Sequence, residues 1–182
     1  MSNSEALLVI DTQLVAFDGE ITPPVQNGSQ LLDNVEALIA TCRAANLQII
    51  YLQTTARLGQ PYAQDVHGWE IHPRLAPQPN DTIVYKVNSD GFDNTKLAHE
   101  LKKLEVNKLI TCGIWSEYCV TRTSLSAIER GLQVTVAADA HGTVAQTPSI
   151  AQAVVEEQNG ILQQSNANLS TSQEISERLT SH

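Results

Sequence analysis

The chain has 182 residues, 42% hydrophobic and 17% charged, with a formal net charge of −9. This length predicts one domain, spanning residues 1–182, able to bury a core without staples. The acidic balance excludes nucleic acid and anionic membranes as partners, and no apolar run reaches the ~20 residues of a membrane span.

The first ten residues lack the basic flank and cleavage pattern of a signal peptide. Three cysteines, odd in number and without metal-type spacing, suit a reducing compartment, so a cytoplasmic protein is expected. Apolar runs of strand length then recur along the chain at 5–10, 47–54, 81–86, 107–114 and 132–139. Runs apolar on both faces predict strands of a buried parallel sheet. Between them, helical patterns cover 29–45, 94–105, 117–130 and 148–158. The first places Val35, Leu38, Ile39 and Cys42 on one face; the second does so with Leu97, Leu101 and Leu104. Gly131 reads as a helix stop. The segment "GILQQSN" is a candidate sixth edge strand, and "TSQEISERLTSH" a terminal helix or tail. Strand and helix in alternation predict a three-layer α/β/α fold with a five- or six-stranded, mainly parallel, Rossmann-like sheet.

Two long connections, 15–28 and 56–80, carry six of the seven prolines. Such loops in a compact α/β domain act as lids or subunit contacts.

Ligands of open α/β sheets bind at the carboxyl ends of the strands. There the chain offers Asp11 after the first strand, Lys86 at the end of the third, and Cys119 five residues past the fourth, where a helix opens. An acid, an amine and a thiol at one rim suit nucleophilic attack on an amide-like carbon, a thioester intermediate and its hydrolysis. The helix start and Lys86 are expected to favour the Cys119 thiolate. Asp11 can take the thiol proton, and backbone N–H groups near Cys119 can hold an oxyanion. Each residue also has a plainer reading: a loop cap, a solvated charge, a packed thiol. Cys42, on an apolar helix face, and Cys112, inside a buried strand, read as core. Phosphoryl chemistry would need a second acid two residues after Asp11, where the chain has Gln13. A nucleotide-binding module would need a glycine-rich or Walker motif after the first strand, and neither is there. A non-catalytic α/β binding protein remains as the other class.

"LLVIDTQ", "VYKVNSDGFDNTKL", "GIWSEYCVTRTSLSAIERG" and "VTVAADAHGT" together resemble the isochorismatase-like cysteine hydrolases, a superfamily that includes nicotinamidases and N-carbamoylsarcosine amidohydrolase. The resemblance runs through nearly the whole chain. It implies an Asp11–Lys86–Cys119 triad, hydrolysis of a C–N bond in a small amide or carbamoyl compound, no cofactor, and a homo-oligomer. It also implies a cis peptide between Ile114 and Trp115, with N–H groups of Trp115 and Cys119 facing the substrate oxygen. Gln13, Phe17, Phe92, Trp115 and Tyr118 are the candidate pocket residues; Trp115 reads equally as a packed aromatic. Vinyl-ether hydrolysis is the alternative within the superfamily, but enzymes of that type lack the cysteine. The metal-binding Asp-x-His of nicotinamidases has no counterpart straight after the second strand. Asp65, His67 and His72 stand some ten residues later, in a segment that resembles the connecting loop of non-metal members, so no metal is expected.

Overall fold

The computed structural model describes residues 4–181. Six parallel strands form one sheet in the order β3-β2-β1-β4-β5-β6: β1 (Ser4–Ile10), β2 (Gln48–Thr54), β3 (Thr82–Lys86), β4 (Val106–Ile114), β5 (Gln133–Gly142) and β6 (Asn168–Ser170). Helices α1 (Gly28–Ala44) and α5 (Ser172–Thr180) cover one face. Helices α2 (Leu97–Lys103), α3 (Thr121–Glu129) and α4 (Pro148–Gln164) cover the other.

The period-2 alternation of strand side chains divides the core between these layers. Leu7, Val9, Tyr51, Ile110 and Cys112 meet α1 and α5, whereas Ala6, Leu8, Ile10, Leu52 and Val84 meet α2, α3 and α4. Val35, Leu38, Ile39 and Cys42 are buried on one face of α1, as their spacing predicts. Gly131, at φ +81°, ends the turn after α3 in the left-handed region. "GILQQSN" is not a strand. It lies in the C-terminal turns of α4 and the residues just after, where Leu162 continues the buried stripe of Ala151 and Val155; the edge strand follows at β6. The terminal segment is helical, opened by a capping box in which Thr171 Oγ1 accepts from Glu174 N–H and Glu174 accepts from Thr171 N–H.

At the strand ends, Gly113 sits at φ +121° between β1 and β5, where an added Cβ would lie 2.1 Å from the Ile10 carbonyl oxygen. Only glycine permits the two backbones to approach so closely. The two long connections are knitted to each other. Val15 N–H donates to Gly68 O (2.8 Å), Leu14 N–H to Glu70 O (2.9 Å) and His72 N–H to Thr12 O (2.8 Å). They form an ordered wall beside the carboxyl edge of the sheet.

Candidate active site

Four strand ends meet in a cavity of about 240 Å³. Asp11 follows β1 at φ +52°, a left-handed conformation that aspartate tolerates better than most residues. Thr54 closes β2, Lys86 closes β3, and β4 runs through the cis Ile114–Trp115 peptide into a π-helical turn, 116–120, that carries Cys119. Lys86 Nζ lies 2.7 Å from Asp11 Oδ2 and 3.3 Å from Cys119 Sγ, and it donates to Thr54 Oγ1 (2.9 Å) and Asn88 O (3.1 Å). All three sequence-selected residues are thus brought together, and all three are buried.

Burial changes the electrostatics expected of the thiol. Desolvation, joined by the charge of Asp11, pushes Cys119 up to about 12 against the opposing pull of Lys86. The expected resting thiolate is therefore corrected: the ammonium is adjacent, but loss of water and a neighbouring carboxylate outweigh it. Burial works against the Lys86 ammonium too, yet the Asp11 carboxylate beside it holds it above the ordinary lysine range. The resting site is a thiol beside an ion pair. Cys42 is likewise pushed up to about 12 by burial and then by Glu5, and burial raises Cys112. All three thiols are free.

Trp115 and Tyr118 line the cavity, as expected, together with Tyr62 from the 56–80 loop, Asn88 and Ser89. Gln13, Phe17 and Phe92 are not among the described lining residues, and packing explains each. Gln13 is fully buried as a clamp: Nε2 donates to Thr54 O (3.0 Å) and Trp69 O (2.7 Å), and Oε1 accepts from Thr54 N–H (2.9 Å). Phe17 meets the His72 ring edge-on at 5.3 Å, and Phe92 is buried in the α2/α3 layer beneath the Arg130 guanidinium.

Asp65, His67 and His72 do not converge. Asp65 accepts from Gly59 N–H, His72 Nδ1 accepts from Arg74 N–H, and His67 faces Asp18 (3.2 Å) and Glu20 (3.4 Å) in the other loop. His141 belongs to β5 and is buried. Asn159 Nδ2 donates to Ala138 O, so Asn159 Oδ1 accepts from His141 Nε2 (2.9 Å). His141 Nδ1 is left to accept the Ser116 hydroxyl proton (2.9 Å). Burial lowers the His141 pKa, which keeps this neutral form. The ring thereby props the turn that carries Cys119. Thr54, Tyr62 and the His141–Ser116 contact went unselected in the sequence; the position of Thr54, at a strand end beside Asp11 and Lys86, was the one available signal.

Comparison with known proteins gives a consistent result. Residues 5–174 match the isochorismatase domain. The chain is 35% identical over 139 residues to a streptothricin hydrolase of Streptomyces noursei, covering 76% of this chain and 50% of that protein, so it spans about half the length of this relative. It is 26% identical over 158 residues to the ureidoacrylate amidohydrolase RutB of Pantoea ananatis (strain LMG 20103), covering 65% and 61%. A crystal structure of a cysteine hydrolase from Pseudomonas syringae pv. phaseolicola 1448A shares the fold at TM-score 0.87 and 24% identity, over 97% of this chain and 92% of that one.

Proposed function

This chain belongs to the isochorismatase family, and we propose that it is a hydrolase that cleaves a C–N bond of a small amide or carbamoyl compound through Cys119. The observation that carries this reading is Lys86 Nζ held between Asp11 Oδ2 and Cys119 Sγ at the floor of a cavity. The word amidohydrolase in the name of the Pantoea relative supports the bond type.

Because the thiol is protonated at rest, its proton leaves as the sulfur attacks. Asp11 accepts that proton while the Cys119 Sγ–carbon bond forms, and the carbonyl oxygen takes up the electron pair. Backbone N–H groups of Trp115 and Cys119 are assigned to that oxyanion. As the C–N bond breaks, Asp11 returns the proton to the leaving nitrogen, and the amine departs. Water then attacks the thioester, giving one proton to Asp11; the carboxyl product leaves as the proton returns to sulfur. Lys86 stays charged throughout and holds the carboxylate and the sulfur in register.

A panel of small amides, ureido and carbamoyl compounds, assayed for ammonia or amine release, tests the proposal. Cys119→Ala is expected to abolish release, and acid-quenched wild type to carry an acyl mass on the 119 peptide. A Cys119→Ala variant retaining more than a few per cent of the wild-type rate would overturn it.

A further inference from the structure

The charge inventory of the cavity constrains what can enter it. Lys86 is the only cation among the described lining residues. An ammonium has three N–H donors. Four acceptors already surround Nζ within 3.3 Å: Asp11 Oδ2, Thr54 Oγ1, Asn88 O and Cys119 Sγ. None of its hydrogens is left for a ligand. A site built for a carboxylate presents a free arginine fork or ammonium, and here neither is available.

The rest of the wall points the same way. Asn88, the carboxamide of the lining, donates through Nδ2 to the solvent-exposed Asp93 Oδ2 (2.7 Å), which sets a second carboxylate at the outer rim. Tyr62, Trp115 and Tyr118 offer flat aromatic surface. A carboxylate entering would lose its water, face Asp11 and gain no counter-charge. The formal net charge of −9 adds a long-range repulsion. The volume, about 240 Å³, lies below that of drug-sized ligand pockets.

We infer that the cavity selects against anions, and that its substrate is a small compound with no carboxylate or other negative group on the part that enters. The identity of the scissile bond rests on the function proposed above; the selection by charge does not. Ureidoacrylate, in the name of the Pantoea relative, carries such a carboxylate, so this chain is assigned a different substrate class.

Cys119 supplies a probe of the cavity that needs no substrate. Iodoacetamide and iodoacetate are nearly equal in size, differ by one negative charge, and draw on the same thiolate fraction, so their rate ratio reads the local potential. Labelling of the folded protein is followed by peptide mass spectrometry, which separates Cys119 from Cys42 and Cys112, and the ratio is divided by that of N-acetylcysteine. The expected preference for iodoacetamide is about tenfold beyond the free thiol; any value above threefold supports the inference, and any value below threefold overturns it. Val87→Arg, at the exposed rim, adds an unpaired cation and is expected to bring the ratio toward that of the free thiol. An unchanged ratio in that variant would show that charge is not the cause.

Turnover supplies a second reading: kcat/KM for pentanamide against glutaramate, its carboxylate-ended analogue, is expected to differ by at least tenfold, and parity would overturn the inference. Selective labelling with no amide turned over counts against the hydrolase proposal alone. Amide turnover with unselective labelling counts against the charge inference alone.

Discussion

Replacing Lys86 by Met removes one charge from the most buried ion pair of the site while keeping the length of the side chain. Lys86 and Asp11 are each 2% exposed, and the Asp11 carboxylate has Lys86 Nζ, 2.7 Å from Oδ2, as its one cationic partner among the described residues. Without the ammonium, Asp11 has two options. It can remain ionised, an uncompensated buried charge of the kind that costs about 3–5 kcal/mol. Alternatively it can take up a proton, which for a carboxyl of ordinary acidity costs about 4 kcal/mol at pH 7. The two routes agree, so Lys86→Met is expected to lose about 4 kcal/mol at pH 7, read from urea unfolding followed by circular dichroism. The loss should shrink toward acid pH, where protonation is cheap. Asp11→Asn in the Lys86→Met background removes the orphaned charge and should recover at least about 2 kcal/mol. A loss below about 1 kcal/mol in the single variant, or no recovery in the double, would refute the view of Asp11 and Lys86 as a mutually dependent buried pair.

The folded-state values of Cys42 and Cys119 lie at about 12 against an ordinary 9.0, so the fold favours the protonated thiols. That stabilisation is complete below pH 9 and is lost as pH rises toward 12. The part lost between pH 8 and pH 10 is about 1.4 kcal/mol per thiol, and a flat urea stability across that range would contradict it. Gly113→Ala would set a Cβ 2.1 Å from the Ile10 oxygen; the expected outcome is a loss of more than about 4 kcal/mol or no soluble protein, checked by expression yield and thermal melting. His141→Phe strands Ser116 Oγ and the Asn159 carbonyl in the interior, at about 2–4 kcal/mol. It should also lower kcat more than it raises KM, because the turn bearing Cys119 loses its prop; normal kcat in a folded variant would remove His141 from that role.

Most of the fold is legible along the chain, because its signals are local. Continuous apolar runs locate β1 to β5, the stripe of Val35, Leu38, Ile39 and Cys42 locates α1, and the topology rule for α/β sheets singles out Asp11, Lys86 and Cys119. The same local signals misplace "GILQQSN", since a short apolar run belongs equally to a strand or to the end of a helix until its length and partners are known. The contents of the cavity wall were decided by tertiary structure. Tyr62 enters through a loop anchored by backbone hydrogen bonds to residues 12–15, and Gln13 and Phe92, close in sequence to the site, turn into packing instead. Tertiary structure also sets the protonation of Cys119. The helix start and the neighbouring lysine are visible in the sequence, but the desolvation that overrides them is the sum of everything packed around Cys119, much of it drawn from distant parts of the chain.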